Sequence, residues 1–257
     1  MGQYLPGRSP VHGLDPRAKL AAAAMAVPAA LLASGWPGVL AVTLLAAAAT
    51  VLSGIKPGVY WQSLKPLWLL LIASFCLQAL FTPGRPLVAA GFVVVSVPGL
   101  MAGAWTAWRL GMLFLLAAVV TFTTTPLRLT AALEWTLAPL ARAGVPVREL
   151  AMTINLALRF VPTLFDEARL LLMAQRSRGG GFTRGRPVDR ARALVPFLVP
   201  LLINIFRRAD ELALAMEIRC YKAGAERSRM AVLRFTAADY AAVLASLLVL
   251  VAAVVYR

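Results

Sequence analysis

The sequence predicts an all-α membrane protein, with about five transmembrane helices and long amphipathic helices on the cytoplasmic side. Three observations carry that class. The 257 residues are 60% hydrophobic and 14% charged, with mean hydropathy +0.77, whereas soluble domains run near 45–50% and about 25%. No acid occurs in the 118 residues from Pro16 to Leu133, where even spacing of the chain's 11 acids would place about five. The charge is also gathered in one block: the 110 residues from Leu127 to Thr236 hold 18 of the 26 bases and nine of the 11 acids. A net charge of +15 would point to nucleic acid in a soluble chain. In an apolar chain it reads as topology, because Lys and Arg collect on the cytoplasmic side.

Residues 1–16 form a Pro- and Gly-containing cytoplasmic segment, and Asp15-Pro16-Arg17-Ala18-Lys19 leads from it into an apolar run from Leu20 to Ala33. A basic start before an apolar run also fits a signal peptide, but the abundance of later spans favours an uncleaved first helix. Gly35 and Pro37 separate it from a second apolar run, Trp36 to Leu52, predicting a tight helical hairpin. Further runs cover Leu67 to Phe81, Leu87 to Ala104, Trp105 to Thr125 and Ala237 to Tyr256, several near the roughly 17–25 residues of a span. The segment Leu87 to Ala104 carries Gly91, Pro98, Gly99 and Gly103. If it spans, the Arg-rich region that follows lies outside; if it is short or re-entrant, that region stays inside. The positive-inside rule selects the second arrangement. The domains expected are therefore 1–16, the first four spans in 17–126, a cytoplasmic region 127–236, and a last span in 237–257 that puts the carboxyl terminus outside.

Within 127–236, apolar residues recur at helical spacing from Ile154 through Ala157, Leu158, Val161, Leu164, Phe165, Ala168, Leu171 and Leu172, and again from Leu198 through Leu201, Leu202, Ile205, Ala209, Leu212, Ala213 and Met216 to Cys220. The first stripe stops at Gly179-Gly180-Gly181 and the second before Gly224, each with an arginine just upstream, Arg178 and Arg219. Sliding the chain by 41 residues superposes Phe165 on Phe206, Ala168 on Ala209, Leu171 on Leu212 and Arg178 on Arg219. Under that shift Asp166 and Glu167 fall on Arg207 and Arg208, and Arg169 falls on Asp210. The inversion predicts that the two helices cross with opposite charges facing. A base at a helix carboxyl end also complements the macrodipole by about 0.3–1 kcal/mol, but an isolated dipole effect needs no repeat. A duplicated, projecting guanidinium suits a partner that is itself paired.

Other classes find little support. The two cysteines, Cys76 and Cys220, are far apart in different settings, and the single histidine, His12, has only Asp15 nearby, so neither a disulfide framework nor a metal site is indicated. An intramembrane enzyme needs acids, histidines or a nucleophile within the spans. The glycine-rich stretch Gly179-Gly180-Gly181-Phe182-Thr183-Arg184-Gly185 is not a phosphate-binding loop. The run Arg176, Arg178, Arg184, Arg186, Arg190 and Arg192 lacks the aromatic platform of a nucleic-acid binder and fits topology and headgroup attraction. Arg109, inside an apolar run, is either functional or a snorkelling base. The tryptophans read as interfacial anchors.

With Leu14-Asp15-Pro16-Arg17-Ala18-Lys19-Leu20, Ala174-Gln175-Arg176-Ser177-Arg178-Gly179, Ala215-Met216-Glu217-Ile218-Arg219-Cys220-Tyr221 and a last apolar helix in that order, the whole chain resembles the transmembrane T component of energy-coupling factor transporters. These are ABC-type importers of vitamins and of nickel or cobalt. The resemblance implies coupling helices that cross in an X, each ending in an Ala-Arg-Gly-type motif whose arginine docks on one of two ABC ATPase subunits. It places docking at Arg178 and Arg219 with Ser177, Gly179, Ile218 and Cys220 around them, and with Arg176 as the rival at the first motif. It implies a membrane-embedded substrate-binding S component as the other partner, and ATP with Mg in the ATPase subunits, with no cofactor in this chain. The second motif departs from the family pattern at Ile218 and Cys220, which points to two non-identical ATPases. A conventional ABC permease is the nearest rival, but Glu167-Ala168-Arg169 is not followed by the glycine of that family's coupling loop. A membrane scaffold without an ATPase partner is another.

Overall fold

The computed structural model describes residues 4–82, 86–90, 93–178, 187–222 and 235–256, with the backbone alone at 86–90, 93–95 and 187–193. These residues form two compact units: the chain up to Trp135 together with the last helix, and the chain from Thr136 through the two longest helices.

The first unit is a helical bundle. A single turn, α1 (Pro10–Gly13), precedes α2 (Pro16–Leu32), α3 (Trp36–Ser53), α4 (Pro57–Phe81), α5 (Val97–Thr123) and α6 (Pro126–Leu137), and α9 (Ala237–Val255) completes it. Four of these, α3, α4, α5 and α9, are long and apolar enough to cross a membrane. The 17 residues of α2 sit at the short end of the spanning range.

Side-chain contacts set the directions. Lys19 meets Thr123, Ala26 clusters with Leu116, and Arg109 meets the carbonyl of Ala33, so α2 and α5 run antiparallel in one register. In α5, Gly99 and Gly103 lie against the backbone of Ala79 and Phe75 in α4, again antiparallel. The amino ends of α2 and α9 meet, and Ala29, Ala30 and Ala33 pack with Ala253 further along, so those two run parallel. The amino ends of α2, α4 and α9 and the carboxyl ends of α3 and α5 therefore share one end of the bundle. The chain leaves and re-enters it there.

The expectation of a short or re-entrant helix over 87–104 is corrected. Residues Pro86–Ala90 (β1) and Val93–Ser96 (β2) pair as an antiparallel hairpin with register Val88↔Val95, Ala89↔Val94 and Ala90↔Val93. From Val97 onward the chain belongs to a 27-residue helix that also contains the next apolar run. Gly99 and Gly103 do not break it. A Cβ at either would stand 2.9 Å from a backbone oxygen of α4, so these glycines are what allow the two backbones to approach, as small-xxx-small pairs do in membranes. Ser96 makes the junction: its Oγ donates to the Thr82 carbonyl at 2.9 Å and accepts from the Gly99 N–H at 3.1 Å, capping α5. Lys65 lies inside α4, which begins at Pro57.

The second unit holds a 3-10 turn at Ala138–Ala143 followed by α7 (Val147–Ser177) and α8 (Pro187–Ile218). Both are over 30 residues long and carry prolines within them, Pro162 in α7 and Pro196 and Pro200 in α8.

Candidate functional site: paired helices ending in arginines, and a buried network

In the second unit, α7 and α8 contact each other through polar side chains. Asn204 Nδ2 donates to Glu167 Oε1 at 2.6 Å, and Arg208 lies 3.8 Å from the other carboxylate oxygen of Glu167. Further along, Gln175 Nε2 donates to the Pro196 carbonyl at 3.3 Å. That carbonyl has no intrahelical partner because the residue four positions on is Pro200, which lacks an N–H. Going from Glu167 to Gln175 on α7 corresponds to going from Asn204 back to Pro196 on α8, so the helices run antiparallel through the contact.

Of the charges expected to face one another, the structure brings Glu167 and Arg208 together. Asp166 instead lies 4.0 Å from Arg169 on its own helix, with both side chains more than 70% exposed. No partner is found for Arg207 or Asp210 among the described residues. Sequence periodicity missed Asn204 and Gln175. A signal was present for Gln175, because a proline four residues after another residue in a helix always leaves that residue's carbonyl free.

Antiparallel packing sends the two motif arginines in opposite directions. Arg178 is 11 residues past Glu167 and Arg219 is 15 past Asn204, which at 1.5 Å per residue carries them up to about 40 Å apart. Arg176, Ser177 and Arg178 are exposed at the end of α7, and Ile218, Arg219 and Cys220 at the end of α8. Gly179, Arg184 and Arg186 lie outside the described residues, as do the side chains of Arg190 and Arg192.

The end of α8 shows why glycine would suit position 220. Cys220 N–H donates to the Glu217 carbonyl and Tyr221 N–H to that of Met216, both at 2.9 Å, while Cys220 adopts φ 55°. This is the paired-bond cap in which a left-handed residue closes the helix, a conformation that glycine takes without steric cost. Along α7 and α8 large apolar residues face outward, Phe165, Leu170 and Met173 on one and Leu198, Leu202 and Phe206 on the other.

The amino-terminal motif lies in the first unit. Asp15 caps α2 by accepting the Arg17 N–H at 2.9 Å, and Pro16 takes the first helical position, where its missing N–H costs nothing. Arg17 stacks its guanidinium 5.2 Å from the Trp135 ring centre. Lys19 is buried and donates to the Thr123 carbonyl at 2.9 Å and to Thr124 Oγ1 at 3.3 Å, satisfying the carboxyl end of α5.

In the first unit the residue that sequence reading missed is Asp239, which is fully buried. Its Oδ2 accepts from the N–H and hydroxyl of Thr236, and its Oδ1 accepts from the Asp15 N–H, each at 2.7 Å. One carboxylate therefore caps α9 and anchors the start of α2. Thr236-Ala237-Ala238-Asp239 is a capping-box pattern, and that pattern was the available signal. Arg109 proves to hold the Ala33 carbonyl at 3.1 Å, at the carboxyl end of α2. His12 is held between Ser9 Oγ and the Leu5 carbonyl. Among the described residues no group of three or more His, Cys, Asp or Glu is placed to hold a metal.

The comparisons with known proteins agree with this architecture. The family model described as cobalt transport protein, CbiQ, matches residues 7–231. A protein of Thermosediminibacter oceani is 41% identical over the whole chain and 97% of its own length. One of Heliobacterium modesticaldum is 41% identical over 95% of this chain and 92% of its own length, and one of Brevibacillus brevis is 39% identical over 98% and 96%. All three are named energy-coupling factor transporter transmembrane protein. Matches of that extent, on a bundle of apolar helices joined to two long amphipathic ones, show that the chain belongs to the CbiQ family of energy-coupling factor transmembrane T components.

Proposed function

We propose that this T component couples two ABC ATPase subunits to a membrane-embedded S component, so that ATP-driven closure of the ATPases powers uptake of a vitamin or a transition-metal ion. The observation that carries the reading is the antiparallel pair of α7 and α8, pinned by Glu167, Asn204 and Arg208 and by Gln175 on the Pro196 carbonyl, with Arg178 and Arg219 exposed toward opposite ends. A pair joined along one stretch, with the two arginines exposed beyond it on opposite sides, receives two ATPases separately and moves as they close. ATP and Mg reside in those subunits. The exposed apolar side chains of both helices offer the S component a surface that an apolar partner can slide on. Such a contact needs few directional bonds.

In this reading the five long helices of the first unit cross the cytoplasmic membrane, with the amino terminus and the coupling region in the cytoplasm and the hairpin outside. The departures at Ile218 and Cys220 make the two docking ends unlike and favour two different ATPases.

The test is co-purification and uptake with Arg178→Glu and Arg219→Glu. Truncating one side of a buried charged contact costs about 3–5 kcal/mol, so each variant should insert normally yet lose ATPase recovery and transport. Normal transport by both would remove the docking assignment.

A further inference from the structure

The chain joins its two units twice, once after Trp135 and once ahead of α9. Within the first unit, three points flank those joins: the carboxyl end of α5, from which α6 departs after Thr124 and Thr125, the last turn of α6 at Trp135, and the cap of α9 at Thr236. All three are fastened to the start of α2. Lys19 Nζ donates to the Thr123 carbonyl at 2.9 Å and to Thr124 Oγ1 at 3.3 Å. The Arg17 guanidinium lies 5.2 Å from the Trp135 ring centre, and the Asp15 N–H donates to Asp239 Oδ1 at 2.7 Å. Asp239 in turn holds Thr236 through its other oxygen. Residues 15 to 19 make one turn of helix, about 6 Å long.

Beyond that turn, α2 is packed into the bundle along its length. Ala26 clusters with Ala46 and Leu116, and Ala29, Ala30 and Ala33 cluster with Val42 and Ala253, most of them without exposed surface. Alanine has no rotamer that could absorb a displacement, and close-packed interiors compress little. A push on residues 15 to 19 therefore moves α2 together with α3, α5 and α9.

Stability alone does not account for the groups used. Apolar side chains of similar volume in place of buried charges are often neutral or stabilising, and the alanine contacts hold α2 in the bundle without them. What Asp239, Lys19 and Arg17 add is direction. Each ties one point beside a chain join to the same helical turn, at a fixed distance and angle.

We infer that the first turn of α2 with its cap, Asp15 through Lys19, is a positioning anchor for coupling: it grips the chain before and after the second unit, so that motion of α7 and α8 reaches the membrane helices as one displacement. The inference rests on the coupling role proposed above and adds the place in the first unit where that motion is taken up. Arg17, Lys19 and Asp239 act through the segments they hold and touch neither nucleotide nor substrate.

The experiment uses the full-length chain purified with its ATPase subunits, with and without ATP and orthovanadate, and follows hydrogen exchange of the backbone amides. In the unmutated complex the nucleotide should change exchange in α7 and α8 and, by about fivefold or more, in α2 and α9. Lys19→Met and Arg17→Gln should keep the ATPases and the response of α7 and α8, while the response of α2 and α9 falls below about twofold. Arg17→Lys, which keeps a cation for the Trp135 ring, should restore it. Lys56→Met, at an exposed base capping α4, should leave it unchanged. A merely structural role would raise exchange in α2 with and without nucleotide and leave the difference intact. Trp135 is exposed, so Trp135→Leu gives the same reading should Lys19→Met fail to fold. Full transmission to α2 and α9 in Arg17→Gln and Trp135→Leu, or an unmutated bundle that ignores the nucleotide while α7 and α8 respond, would overturn the anchor and leave the docking assignment standing. Loss of the ATPases from the anchor variants would overturn it too, because the turn would then serve assembly. An unmutated chain that recovers no ATPase would remove the coupling role, and the anchor with it.

Discussion

At the scale of single residues, two positions make opposite statements about strain and support. Cys220 closes α8 in a left-handed conformation, which costs a residue with a Cβ about 1–2 kcal/mol relative to glycine. Cys220→Gly should therefore raise resistance to unfolding by about 1 kcal/mol. Detergent-solution thermal melting checks this; a lower melting temperature would show that the thiol has packing value of its own. Asp239 is the converse, fully buried and accepting three hydrogen bonds. Asp239→Ala should cost about 2–4 kcal/mol, the sum of a lost cap and a buried Asp15 N–H left without a partner. A variant that melts like the unmutated chain would refute this. The local half of the residue's role was legible, since Thr236 and Asp239 are three apart. Its bond to Asp15 was not, because nothing in a local pattern reports a contact 224 residues away.

At the scale of elements, the pairing of α4 with α5 depends on glycine used for proximity. Gly103 faces the Phe75 carbonyl oxygen, which an added Cβ would meet at 2.9 Å, whereas Gly111 of the same helix has nothing within 4 Å. Gly103→Ala should destabilise the bundle, while Gly111→Ala should be neutral or gain up to about 1 kcal/mol from helix propensity. Equal effects in unfolding assays would argue against close packing at Gly103. The apolar runs that became α2, α3 and α9 were legible because breakers or charge separate them. The stretch over 87–104 was misread because glycine as a helix breaker and glycine as a packing surface look alike until the facing helix is known. In the second unit, Glu167 and Arg208 have side chains 21% and 40% exposed, so a double-mutant cycle on the pair should report about 0.5–1 kcal/mol. The helical stripes announced both long helices. Their mutual contact rests on Asn204 and Gln175, which carry no periodicity.

At the scale of the whole molecule, the alternating directions of α2, α3, α4, α5 and α9 set a topology that labelling can read. In a chain with Cys76 and Cys220 replaced by serine, a cysteine at Val97 or Tyr256 should react with a membrane-impermeant thiol reagent from outside the cell. One at Lys56 or Gln175 should react only after the membrane is opened. The reverse pattern would overturn the orientation while leaving the fold intact. The shared carboxylate also bears on how the chain is made. The Asp15–Asp239 bond closes a loop of 224 residues, which at about 5–20 residues per second takes a ribosome roughly 11–45 s to synthesise. Throughout that interval the Asp15 N–H, at the start of the first long helix to emerge, lacks its acceptor, and α5 and the coupling helices are produced before that acceptor exists. The earliest long helix of the chain is therefore among the last to be locked, and a nascent chain stalled before α9 presents an unanchored α2 to the cell's quality control.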